Sequence, residues 1–245
     1  MPIYQPNRVE YAITHGHVQI VREDGDPLPA YWSHPDIGGT FPAIALIHDW
    51  WGITDVERRL GNLFAQTGYY VIIPDLFNGS LAKTPQEAIG LVEALGDQGY
   101  SCVNTSLQAL EHHMRSNGSV AAVGLGMGGS LAYEAALKRD DLEAAVAFYG
   151  FPQRYLGHFN HANTPILAIF GGDDPYTRPK VIEQLERELA ESPVEHEIVT
   201  IPNVSRDFFR EPAMQAGSIA WDKTLAFLDQ HLGGPARPAA SPSRL

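Results

Sequence analysis

Val123-Gly124-Leu125-Gly126-Met127-Gly128-Gly129 is the stretch on which the reading of this chain turns. A short β-rich run, Val120–Val123, leads into it, and a helical pattern leads out of it. Glycine adopts left-handed backbone conformations without steric cost and lets neighbouring backbones approach closely. The flanking glycines therefore permit a tight strand–turn–helix elbow here.

Working outward, short apolar runs alternate with helical patterns from about Phe41 onward, the signature of a mostly parallel sheet covered by helices on both faces. Strands are expected at Ala43–Ile47, Tyr69–Ile73, Val120–Val123, Ala144–Phe148, Ile166–Phe170 and His196–Ile201. Ahead of them, Val18–Val21 and Ala30–Ser33 flank the turn formers Asp24-Gly25-Asp26-Pro27 and predict an antiparallel hairpin. Thr54-Asp55-Val56-Glu57 and Thr84-Pro85-Gln86-Glu87 are capping-box patterns that open helices, the first running to about Thr67 and capped by Gly68. Further helices are expected over about Ser101 to Met114 and Gly217 to His231. Residues 1–234 are expected to form a single domain, and residues 235–245, rich in Pro, Ala, Ser and Arg, a disordered tail.

The bulk numbers narrow the partners. The formal net charge is −12, from 29 Asp and Glu against 17 Lys and Arg, and such a surface repels nucleic acid and anionic membrane. One cysteine, Cys102, permits neither an intramolecular disulfide nor a cysteine-based metal cluster. Met1 to Asn7 has no basic segment followed by an apolar stretch, and no apolar run approaches a membrane span. A cytoplasmic protein without metal or cofactor, monomeric or homodimeric, is the expectation.

The elbow resembles the G-[YF]-C-[LM]-G-G turn of the dienelactone hydrolase family, with Gly126 at the cysteine. His48-Asp49-Trp50-Trp51-Gly52, Pro74-Asp75-Leu76-Phe77 and Ala147-Phe148-Tyr149-Gly150 are also similar to segments of that family, and the likeness runs from about Leu28 to Leu232. The resemblance implies an α/β-hydrolase fold and a lineage of ester and lactone hydrolases, whose working groups follow the chain order nucleophile, acid, histidine. Phe170-Gly171-Gly172-Asp173-Asp174-Pro175 resembles the acid-bearing turn and puts Asp174 in the acid's place. Pro202-Asn203-Val204-Ser205-Arg206-Asp207-Phe208 resembles the family's P-x-x-x-H-x-F loop and puts Arg206 at the histidine. The triad then reads Gly126, Asp174, Arg206. Glycine has no nucleophile, and a guanidinium stays protonated near neutral pH and is no general base.

By the same resemblance, the oxyanion hole is formed by the backbone amides of Trp50 and Met127, and the helix that begins near Met127 adds its dipole. Arg206 has Asp174 as an obvious ion-pair partner. Arg210 matches an arginine with which the family holds a substrate carboxylate, whereas the basic residue expected shortly after Leu76 is missing. Trp50, Trp51, Tyr149 and Phe208 are candidates for an aromatic wall, with core packing an equal account of each. Ser130, one turn into the helix, reads as a small packing residue, and Cys102 likewise. Ser205 has no histidine near it in sequence. His112-His113 cannot share a helix face well, His158 and His161 read as surface groups, and His231 sits near the end of the last helix, where a cation suits the dipole.

Two functions are compatible with these residues. In the first, the chain binds a small carboxylate, ester or lactone with little or no catalysis. In the second, it is a hydrolase in which Asp49, helped by His48, activates a water lodged in the space left at Gly126.

Overall fold

The computed structural model describes residues 10–211 and 214–233, so the expected tail lies outside the described residues. Eight strands form one sheet: β1 (Ile13–Val21), β2 (Pro27–Pro35), β3 (Phe41–Ile47), β4 (Tyr70–Pro74), β5 (Ser116–Leu125), β6 (Ala144–Phe148), β7 (Ile166–Gly171) and β8 (His196–Ile201). Their order is β1-β2-β4-β3-β5-β6-β7-β8. β1 pairs antiparallel with β2 and β2 with β4, and every other pairing is parallel. Among the described residues six α-helices cover it: α1 (Asp55–Gln66), α2 (Pro85–Leu95), α3 (Gln98–Glu111), α4 (Met127–Lys138), α5 (Pro179–Ala190) and α6 (Gln215–Leu232).

The central strands are buried on both faces, and their alternation sorts side chains by size. Ile44 and Leu46 of β3, Val123 and Leu125 of β5, and Val146 and Phe148 of β6 pack with Leu60 and Phe64 of α1 and Trp221 and Leu228 of α6. On the opposite face Ala43, Ala45, Ala122, Ala145, Ala147 and Ala168 take the middle alternate positions, with Phe41, Ile47, Val120, Ile166 and Phe170 toward the strand ends. That bare face lets α4 settle onto the sheet. A Cβ on Gly128 would strike the backbone carbonyl of Ile47, and one on Gly124 that of Gly128, so both positions demand glycine.

The first capping box is present as read: Thr54 Oγ1 accepts the Val56 N–H at 3.2 Å and Glu57 accepts the Thr54 N–H at 2.8 Å. The second is half present, because Thr84 caps Glu87 N–H while the Glu87 carboxylate turns outward to the N–H of Lys83. The hairpin is longer than expected, with nine residues in each strand, because β2 pairs with both β1 and β4 and is thereby held along its length. α3 begins three residues earlier than expected, at Gln98.

The chain leaves β3 toward β4 on one side and reaches β5 on the other. A crevice at such a switch point, outside the carboxyl ends of the strands, is where open α/β sheets bind ligands. Asp49 and Gly126 follow these neighbouring strands, whose ends pair Ile47 with Gly124.

Candidate active site

Gly126 joins β5 to α4 with φ 54° and ψ −109°, a left-handed apex that strains any residue with a side chain. Its N–H donates to Phe148 O at 2.9 Å, which ties the elbow to β6. The space that glycine leaves here is not open for a water: a Cβ at this position would land on the carboxylate of Asp49. This corrects the expectation of a water lodged at Gly126.

Asp49 occupies the elbow through two hydrogen bonds. Its Oδ1 accepts the N–H of Trp50 at 2.8 Å and the N–H of Met127 at 2.9 Å. These are the two amides expected to form the oxyanion hole, and a carboxylate of the chain itself now satisfies both. Asp49 is 6% exposed, and burial pushes its carboxyl up to about 6 although both amide bonds and the charge of Arg206 pull the other way.

That displacement makes stability depend on pH. Between the unfolded carboxyl value near 4 and about 6 the folded chain holds the extra proton, so stability falls as pH rises through this window. The ionised form above it carries a burial cost on the order of 3 kcal/mol. Asp49→Asn keeps an acceptor for both amides without the charge. It should therefore flatten this part of the denaturation profile and raise stability at pH 8, as measured by urea unfolding at a series of pH values. A variant that is less stable than the original at pH 8 would contradict this account.

His48 does not reach that carboxylate. Its Nε2 accepts the N–H of Leu76 at 3.1 Å, which leaves the proton on Nδ1, 2.7 Å from the backbone carbonyl of Asp49. Burial lowers its pKa, so the ring is a neutral brace between the ends of β3 and β4. The role of helper to Asp49 in activating water is thus replaced by a structural one.

Arg206 and Asp174 meet at the next strand ends. Arg206 Nη1 lies 3.1 Å from Asp174 Oδ2, and Asp174 Oδ1 accepts the Tyr176 N–H at 2.8 Å. The Asp174 side chain is fully buried and that of Arg206 is 12% exposed. The guanidinium carbon stands 4.3 Å from the ring centre of Phe151, 5.2 Å from Tyr149 and 5.5 Å from Tyr176. Tyr149 itself has φ 40° and packs edge-on against Phe208 at 5.4 Å. Arginine is thus held by one carboxylate and three aromatic faces, each face contributing about 0.5–2 kcal/mol according to its desolvation.

Trp50 and Trp51 form an edge-on pair at 5.4 Å, and no ring contact joins them to Tyr149 and Phe208 among the described residues. Arg210 sits half-buried on a short 3-10 turn, Phe208–Arg210, and forms no ion pair among the described residues; its carbonyl is held by Arg59. Ser130 is a packing residue whose Oγ accepts the Phe151 N–H at 2.9 Å. His113 stacks on Tyr70 at 4.5 Å and His231 approaches Glu195 at 3.8 Å. Sequence reasoning missed Phe151 and Tyr176, although each lies within two residues of a motif segment.

A mostly parallel eight-stranded sheet, with an acid turn after β7 and a glycine elbow between β5 and α4, defines an α/β-hydrolase architecture. Residues 28–232 match the dienelactone hydrolase family, and the chain belongs to it. Carboxymethylenebutenolidase of Rhodococcus opacus is 25% identical over 236 residues, covering 89% of this chain and 92% of that one. The protein usf of Aquifex pyrophilus is 25% identical over 234 residues, covering 89% and 99%. Among solved structures, a dienelactone hydrolase-like promiscuous phosphotriesterase from metagenomic libraries superposes with a TM-score of 0.79 at 18% identity, covering 91% of this chain and all of that one. A dienelactone hydrolase from Anabaena variabilis gives 0.68 at 22%, covering 90% and 99%. No helix among the described residues is long and apolar enough to cross a membrane.

Proposed function

We propose that this family member has left acyl transfer and binds a small carboxylate, ester or lactone without hydrolysing it. The observation that carries the reading is Asp49 Oδ1 in hydrogen bonds with both Trp50 N–H and Met127 N–H. Hydrolysis by an elbow nucleophile needs a nucleophilic side chain, a base and a free oxyanion hole. Here the elbow is glycine, the expected base is an arginine paired with Asp174, and the hole holds a carboxylate. The fold is kept while the three requirements are unmet together. The lone buried Cys102 fits a reducing cytoplasm.

A ligand carboxylate or carbonyl competes with Asp49 for the two amides. Protonation of Asp49 below about pH 6 removes the repulsion of a ligand anion, so binding strengthens as pH falls. The test uses purified full-length chain with 4-nitrophenyl acetate and butyrate, which should give neither burst nor turnover. In parallel, acetate, levulinate and γ-butyrolactone should raise the melting temperature, the two carboxylates more at pH 5.5 than at pH 8; binding at a hundredfold excess over Kd adds about 2.7 kcal/mol. Steady turnover of either ester by the unaltered protein would overturn the reading.

A hydrolase with Asp49 as base for water is the second reading, favoured by a carboxyl raised to about 6. It has a geometric weakness for esters, since the oxyanion formed by water attack would find its two donors already taken.

A further inference from the structure

The two oxygens of Asp49 differ. Oδ1 is fixed by two amides, whereas Oδ2 accepts no hydrogen bond among the described residues. Asp49 as a whole keeps 6% exposure. The carboxylate thus stands at the apex of the elbow, where a Gly126 side chain would be, with one oxygen anchored and one available.

We propose that Asp49 Oδ2 is a covalent nucleophile toward a saturated carbon that carries a leaving group, so that the site takes small primary alkyl electrophiles. Oδ2 donates an electron pair to the carbon, the new C–O bond forms, and the leaving group departs with the electrons of its own bond as an anion. The product is an alkyl ester of Asp49 whose carbonyl oxygen, Oδ1, already lies between the amides of Trp50 and Met127. Water then attacks Cγ and the oxyanion on Oδ1 is held by those amides; one proton of the water passes to the departing oxygen, the former Oδ2, which leaves as the alcohol, and the other passes to solvent, while the oxygen of water stays in the carboxylate. The net change is alkyl halide plus water to alcohol plus hydrogen halide.

The occupied hole decides between substrates. Attack on an ester carbonyl creates an oxyanion on the substrate, for which no donors remain. Displacement at a saturated carbon creates none, and the later oxyanion is on the atom the amides already hold. Burial strips solvent from the carboxylate, which raises its reactivity, and near pH 8 it is ionised.

The inference rests on the reading that acyl transfer at the elbow is lost, and the two fail separately. Turnover of nitrophenyl esters sinks that reading, while the experiment below concerns only alkyl transfer. The purified full chain is incubated at pH 8 with bromoethane and with 1-bromobutane, in ordinary and in oxygen-18 water. Bromide release and the masses of the Asp49 peptide and of the alcohol are followed. The expected results are bromide release lowered at least about 10²-fold by Asp49→Asn, and either an alkyl group or oxygen-18 in the Asp49 peptide with unlabelled alcohol from the first turnover. The isotope readout uses the unaltered protein and decides the matter whatever the variant's folding. No bromide release from either compound, equal release by Asp49→Asn, alkylation confined to Cys102 or a histidine, or oxygen-18 only in the alcohol would each overturn the proposal.

Discussion

Gly126→Cys combined with Arg206→His is expected to leave nitrophenyl ester hydrolysis at the level of the unaltered chain, and adding Asp49→Gly is expected to raise it at least about 10²-fold. The pair of changes supplies a thiol at the elbow and an imidazole beside Asp174. It does not vacate the amides of Trp50 and Met127, which stay bonded to Asp49 Oδ1. The new Cβ would also land on that carboxylate, from a backbone at φ 54°. Loss of a single oxyanion donor costs about 10²–10³ in kcat, and a filled hole withholds both. Asp49→Gly removes the occupant and the clash together. The comparison is of kcat/KM for 4-nitrophenyl butyrate across the single, double and triple variants. A double variant as fast as the triple would show that Asp49 yields the hole readily.

The other large effect is on stability. Asp174→Ala leaves Arg206 among three aromatic rings without its carboxylate, and removal of one member of a buried pair costs about 3–5 kcal/mol. For a chain of this size that lowers the melting temperature by roughly 6–20 °C. Arg206→Met strands the fully buried Asp174 carboxylate and should cost a comparable amount. The double variant, Asp174→Ala with Arg206→Met, should recover most of the loss, because a thioether packs against the same rings and no charge is left unpaired. Urea unfolding of the four proteins completes the cycle, and single variants that each lose less than about 1 kcal/mol would mark the pair as solvent-screened.

Most of the architecture was legible along the chain because its signals are local. Thr54 and Glu57 cap a helix over three residues, and the strand Ala144–Phe148 is bounded at both ends as read. The length of β2 was not, since it depends on partners on both edges, one of them about forty residues downstream. The same distinction governs the site. Gly126, Asp174 and Arg206 were placed by the segments around them, and the Trp50 and Met127 amides by the elbow. The occupant of those amides was beyond reach: Asp49 and Met127 are 78 positions apart and meet only because β3 and β5 lie side by side. His48 reads as a titratable group at a rim until its ring is seen braced between two backbones, when it becomes a strut.

The alanine-lined face beneath α4 has a mechanical meaning. Ala122 and Ala147 set the height at which the helix rides on the sheet, and the helix carries the Met127 amide at its first residue. The Trp50 amide belongs to the loop after β3 and does not ride with it. A valine at either alanine would lift α4 as a rigid body and widen the gap between the two donors. The grip on Asp49 is therefore calibrated by side chains that never touch it, and the sheet works as a gauge block for its own anion site.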